Sequence, residues 1–269
     1  MNFVTEVSEL QQQLEQDTST EHTRLLIDVS SEASYLSGHI PGSLHLLPKE
    51  LMAGTAPAVG RLPSVEKLQT LMSSLGLKPN THVVAYDDEG GGWAGRLIWV
   101  LDVLGHKHYS YLNGGKVAWK SEGLPLEQKE NKAEPSHYQA HIDSSMLIEI
   151  PDILQGIEKQ NIDIWDARSP EEFRGEKILA QKGGHIPGAI NCEWTSMMDP
   201  ENGLRFREDA ETHLLQLGFT KDRPIITHCQ SHHRSGFTYV LGKTLGYDIQ
   251  AYPGSWSEWG NHPDTPAET

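Results

Sequence analysis

The chain has 269 residues, 37% hydrophobic and 22% charged, with a formal net charge of -15 and two cysteines. No apolar run approaches the ~18 residues of a membrane span, and the strong negative charge excludes nucleic acid or an anionic membrane as the main partner. Cys192 and Cys229 are too few for a disulfide framework, and residues 1–6 lack the basic patch and apolar core of a signal peptide, so a cytoplasmic location is expected.

Taken in chain order, residues 25–29 read as a strand that carries Asp28 at its end. A short polar helix follows at 31–35, then the run Gly38-His39-Ile40-Pro41-Gly42-Ser43. Ser64 N-caps a helix whose Leu68, Leu71, Met72 and Leu75 share one face, and Gly76 stops it. Residues 82–87 read as a second strand ending at Asp87. The next helix is closed by Gly105 in the left-handed position after its last turn. A strand and a Gly/Trp turn, 114–119, end the unit. The polar run at 127–136, which contains Pro135, reads as a linker. The expected division is a non-catalytic domain at 1–126, a linker at 127–145 and a catalytic domain at 146–269.

The second half repeats the first. Residues 162–167 form a strand bearing Asp166, and Ser169, Pro170 and Glu172 spell a capping box. Gly184-His185-Ile186-Pro187-Gly188-Ala189 is identical to 38–43 at all but its last position. Residues 224–229 match 82–87, Gly246 matches Gly105, and 254–259 match the Gly/Trp turn. Agreement in order and spacing over about a hundred residues indicates a duplication. Short β-branched runs separated by helices predict an α/β fold: two tandem domains, each a mainly parallel sheet covered by helices on both faces. Ligands in such sheets bind beyond the carboxyl ends of the strands.

Cys229 lies at such an end, in Thr227-His228-Cys229-Gln230-Ser231-His232-His233-Arg234-Ser235-Gly236. A loop this short, wrapped around its first residue, turns backbone N–H groups inward as a nest for negative charge. Arg234 braces the loop or adds fixed charge, and the helix starting near Ser235 adds its dipole. These effects are expected to bring the thiol below neutrality, with Gln230, Ser231, His232 and His233 pointing outward to the rim. A zinc reading of His228, Cys229, His232 and His233 is disfavoured. Adjacent strand residues face opposite ways, and no second Cys/His cluster supplies a closed shell.

The duplicated Gly-His-Ile-Pro-Gly motif, the closing Gly/Trp turn and the Cys229–Arg234 loop resemble those of a two-domain rhodanese, a thiosulfate sulfurtransferase. The likeness covers about residues 20–262, and the loop is closest to a bacterial subgroup with C-Q-T-H-H-R. The resemblance implies a double displacement through a Cys229 persulfide, with no cofactor and no metal. It implies a small anionic sulfur donor and a cyanide or thiol acceptor. Arg168 matches the family position that reaches the substrate anion; pairing with Glu171 or Glu172 is the alternative. Trp194 is a candidate for the pocket wall. Common members carry C-R-K-G-V-T and mercaptopyruvate enzymes C-G-S-G-V-T. Gln230 and Ser231 fit neither, which leaves the donor open.

In the first copy Asp87 replaces the cysteine, and its loop is one residue longer when Gly95 is aligned with Gly236. That domain is expected to be structural, shaping one wall of the site. Two alternatives share the fold. A relay would pass the persulfide to a sulfur-accepting protein. A phosphatase or arsenate reductase would need a C-x-x-x-x-x-R loop, one residue longer than this one.

Overall fold

The computed structural model describes residues 3–16 and 24–269. Met1 and Asn2, part of the stretch read above for targeting signals, lie outside the described residues. The first half runs β1 (Val4–Thr5), α1 (Val7–Gln16), β2 (Arg24–Asp28), α2 (Glu32–Ser37), β3 (Leu44–His45), α3 (Val65–Ser74), β4 (His82–Tyr86), α4 (Gly92–Val103), β5 (Tyr109–Leu112) and α5 (Gly115–Ser121). The second runs α6 (Ile150–Lys159), β6 (Asp163–Asp166), α7 (Pro170–Phe173), β7 (Ile190–Asn191), β8 (Met198–Asp199), β9 (Arg205–Phe206), α8 (Ala210–Leu217), β10 (Ile225–His228), α9 (Arg234–Thr244), β11 (Ile249–Ala251) and α10 (Ser255–Trp259).

The strand orders are β1-β5-β4-β2-β3 and β11-β10-β6-β7, and every pairing within these two sheets is parallel. The repeat is therefore structural: β2, β3, β4 and β5 correspond to β6, β7, β10 and β11. The ribbon β8–β9 is antiparallel. Ser64 caps α3 and the Ser169–Glu172 box opens α7, as their side chains predict. The Gly/Trp runs form short helices, α5 and α10, where a turn was expected.

The repeated Gly-His-Ile-Pro-Gly motif is a clasp. His39 stacks on Tyr35 at 3.7 Å between ring centres, and its Nδ1 meets the Tyr35 carbonyl at 2.9 Å. His185 repeats this on Phe173, at 3.6 and 2.8 Å. Each histidine backbone then forms an antiparallel bridge with a later segment, His39 with Glu127 and His185 with Glu268. The 127–145 stretch is thus held against the first domain. Asn131 bonds the Ser43 carbonyl, Ser136 the Leu77 carbonyl, and Tyr138 and Ala140 are buried.

One apolar core spans both halves, because α4 and α9 pack against each other across the middle of the molecule. Nearly every side of α4 is buried, as its almost continuous apolar sequence requires. The helices cross at Gly95 and Gly236. A Cβ on Gly95 would fall inside the Gly236 carbonyl, so only paired glycines allow this approach. At the far end of the crossing, the buried Asp102 carboxylate accepts from Tyr109 at 2.7 Å, from Tyr239 at 2.8 Å and from Lys243.

Candidate active site

The carboxyl end of β10 delivers Cys229, and the first turn of α9 closes the loop behind it. Two non-glycine residues beside the cysteine hold left-handed backbone, His232 with φ 55° and Ser255 with φ 52°. Such strain persists only where the surroundings enforce it. The Cys229 carbonyl accepts from Trp256 N–H at 2.9 Å, and the Ser255 hydroxyl faces the Cys229 N–H at 3.4 Å. The start of α10 therefore fixes the base of the loop.

The Cys229 side chain is fully buried. Burial pushes the thiol up, but the Arg234 charge, the Ser235 hydroxyl and N–H, and His233 outweigh it and bring the thiol down to about 7. The loop thus lowers the thiol from its ordinary value, as its residues predict. Cys192 is the contrast: burial pushes its thiol up to about 11, as for a small buried hydrophobe. Alkylation of Cys229 by iodoacetamide is accordingly expected to be half-maximal near pH 7, with Cys192 inert. A midpoint at the ordinary ~8.5 would show the loop to be without effect.

Arg234 is a brace as well as a charge. Its two terminal nitrogens meet the Glu172 carboxylate at 2.6 and 2.9 Å, and Glu172 is the same residue that closes the α7 capping box. The strand-end turn and the cysteine loop are thereby locked together. Gln230 donates to the Leu179 carbonyl at 3.2 Å, and the Ser231 backbone packs against Gly60 of the first domain.

Three expectations need correction. His232 does not point outward. Its positive φ turns the ring in, where it is fully buried, meets the Ser235 Oγ at 2.7 Å and packs edge-on against Trp99 of the first domain. His233 is only half-buried but is not free at the rim. It stacks on Trp93 at 4.3 Å, lies edge-on to Trp194 at 5.5 Å, and its Nε2 meets Glu89. Arg168 neither sits at the mouth nor pairs with Glu171 or Glu172. It is buried, paired with Asp166 at 2.6 Å, bonded to the Gly184 carbonyl at 2.8 Å and stacked over Trp256. Its guanidinium is taken up in fixing the strand-end turn, so Asp166 and Arg168 act together below the loop.

Trp194 lies beside His233 and Phe237, consistent with a wall position. Glu89 and Trp93 escaped the sequence reading. They come from the loop and helix of the cysteine-free copy, and only the packing of α4 on α9 brings them to His233.

The Asp87 loop shows what the nest holds when filled. Asp87 Oδ1 accepts from the N–H groups of Glu89, Gly90 and Gly91 at 3.1, 3.1 and 2.8 Å, and Oδ2 from Ala94 at 2.9 Å. Burial, then the Glu89 charge, raise its carboxyl to about 6 against these donors. Ala94 precedes Gly95 as Ser235 precedes Gly236, and the Ser235 N–H is among the groups that lower the Cys229 thiol.

Known proteins agree with this layout. The Rhodanese-like domain signature matches twice, at residues 6–122 and 149–262. The thiosulfate sulfurtransferase of Azotobacter vinelandii is 49% identical over 245 residues, covering 91% of this chain and 90% of that one. The sulfur carrier protein TtuD of Thermus thermophilus is 34% identical over 241 residues, covering 84% of each. The solved structure of the anaerobic ergothioneine biosynthesis enzyme from Chlorobium limicola superposes with a TM-score of 0.87. At 21% identity, over 100% of this chain and 70% of that one, it speaks to the fold alone. With one module matched in each half and the cysteine loop in the second, the chain belongs to the rhodanese family.

Proposed function

We propose that the chain is a thiosulfate sulfurtransferase whose nucleophile is Cys229. The Cys229 thiolate attacks the outer sulfur of thiosulfate, the S–S bond of the donor breaks, and sulfite leaves with the electron pair. The enzyme then carries a Cys229 persulfide anion. Cyanide or a thiolate attacks the terminal sulfur, and the Cys229 thiolate is regenerated. No external oxidant or reductant is required, and ping-pong kinetics follow. Gln230, Ser231, His232, His233, Arg234 and Ser235 form the cradle, and Trp194 lines it. Arg234 supplies charge from behind the loop, and Arg168 acts by supporting it. The domain division at 126 and 146 belongs to the same reading.

The observation that carries this reading is a fully buried cysteine at the end of β10, enclosed by a loop of four residues that Arg234 closes and Glu172 locks. Burial without activation, as at Cys192, would leave an inert thiol. Intact mass before and after thiosulfate is the test. A gain of about 32 Da, one sulfur atom, is expected in the wild type and absent in Cys229→Ala. A gain that survives the substitution would remove Cys229 from the reaction.

A further inference from the structure

The helix α4 is apolar except for two buried charges, Asp102 and Arg96. Asp102 is satisfied by two tyrosines and a lysine. Arg96 is fully buried and has no carboxylate partner among the described residues. Its Nε and one terminal nitrogen meet the Leu51 carbonyl at 3.2 and 2.7 Å, and the guanidinium lies 4.5 Å from the centre of the Trp99 ring. The other terminal nitrogen, Nη1, is buried without a hydrogen-bond partner. A guanidinium in this setting needs an anion nearby to offset its lost hydration.

The same tryptophan carries His232, edge-on at 4.6 Å. Its Nδ1 faces the Ser235 Oγ at 2.7 Å, whereas its Nε2 is buried and unpartnered. Burial, then the Arg96 charge, hold the imidazole neutral, well below its ordinary pKa. When the Ser235 hydroxyl donates to the Cys229 thiolate, whose pKa it lowers, the hydrogen between Ser235 and His232 sits on Nδ1. Nε2 is then a bare acceptor on one side of Trp99, and Arg96 Nη1 a bare donor on another. The backbone sets Arg96 beside the first turn of α9, because a Cβ on Gly236 would strike the Arg96 main-chain nitrogen. The corresponding position of α9 is Phe237, packed on Trp194 and Phe206, so the second copy carries no cation at this position.

We propose that Arg96, supplied by the cysteine-free domain, is a positioning residue for sulfur transfer, acting through the Trp99–His232–Ser235 chain to hold Cys229 in its anionic form. The inference rests on the sulfurtransferase reading for its purpose but not for its test. Burial draws the guanidinium down to about 9, so it is charged at neutral pH, and Cys229 is the one anion that counters this. Other groups also face the sulfur. Arg234 and His233 do so from its own loop, held by Glu172 and Glu89, and His228 and Asp166 lie at the strand ends. Arg96 is the contribution from across the domain boundary. By linkage, a thiol pKa depressed on folding adds stability that is complete above the unfolded value and is lost as pH falls through the folded value of about 7.

The test is the pH profile of Cys229 alkylation by iodoacetamide in the wild type, Arg96→Lys and Arg96→Met. The Arg96→Met midpoint is expected to rise by about one unit, with Arg96→Lys close to wild type. The kcat for thiosulfate is expected to fall further than the KM rises, as for a residue that does not touch substrate. If Arg96→Met does not fold, Arg96→Gln keeps a donor for Leu51 and removes the charge. A neutral variant that folds with an unmoved midpoint overturns the inference. Expected alkylation shifts in a protein that transfers no sulfur would instead overturn the reaction proposed above.

Discussion

A Cys229→Ala protein is expected to fold and to lose sulfur transfer by at least about 10⁴-fold. Nothing nearby can take over. Cys192, the other cysteine, is buried, sits 3.7 Å from Ser196 and has a thiol pushed up to about 11. The first copy offers a carboxylate, Asp87, already committed to four N–H donors. Cys229→Ser is expected to fail equally, since its oxygen keeps the shape of the site but forms no persulfide. The fold is expected to survive because the Arg234–Glu172 pair and the contacts from Ser255 and Trp256 do not depend on sulfur. Initial rates of thiocyanate release from thiosulfate and cyanide are the measure. A mutant rate within tenfold of wild type would refute the nucleophile assignment.

Arg234→Met has the second largest expected effect, and it acts on stability and chemistry together. Removing the guanidinium strands the Glu172 carboxylate, whose side chain is only 3% exposed. Breaking a buried pair from one side costs about 3–5 kcal/mol, or roughly 10 °C in Tm for a chain of this size. Arg234 is also foremost among the groups that lower the Cys229 thiol, so its alkylation midpoint is expected to rise above 7. The double substitution Arg234→Met, Glu172→Gln separates the two roles. Melting temperature should recover in part, because no charge is left stranded, while the thiol stays raised. Recovery of both would assign Arg234 a purely structural part.

Features fixed by neighbours along the chain could be read directly. The Ser169–Glu172 box, the Ser64 cap and the turn glycines Gly105 and Gly246 depend on residues a few positions apart. The duplication then showed that the two halves share one fold, whereas the order of the strands came from the structure. The site was less open to such reading because two of its walls come from the other copy. Glu89, Trp93 and Arg96 reach the cysteine loop only because Gly95 and Gly236 let α4 and α9 touch. Arg96 did leave a signal, a lone basic residue within the otherwise apolar first turns of that helix. His232 went astray because side-chain direction follows φ, and a positive φ at a histidine cannot be told from its neighbours in sequence. Arg168 went astray because its partner, Asp166, is two residues away but reached only once the turn has closed.

The carboxylate of Asp87 has a consequence for the whole cycle. During turnover Cys229 would pass between thiolate and persulfide, changing its length and its demands on the surrounding N–H groups. A carboxylate takes up no sulfur from thiosulfate and does not exchange with a passing thiol. The first loop therefore holds no group that the proposed cycle changes covalently, and α4, which grows out of it, is packed on α9 through the paired glycines. On the proposed function, the copy without a nucleophile is expected to act as a fixed anvil for the copy that reacts.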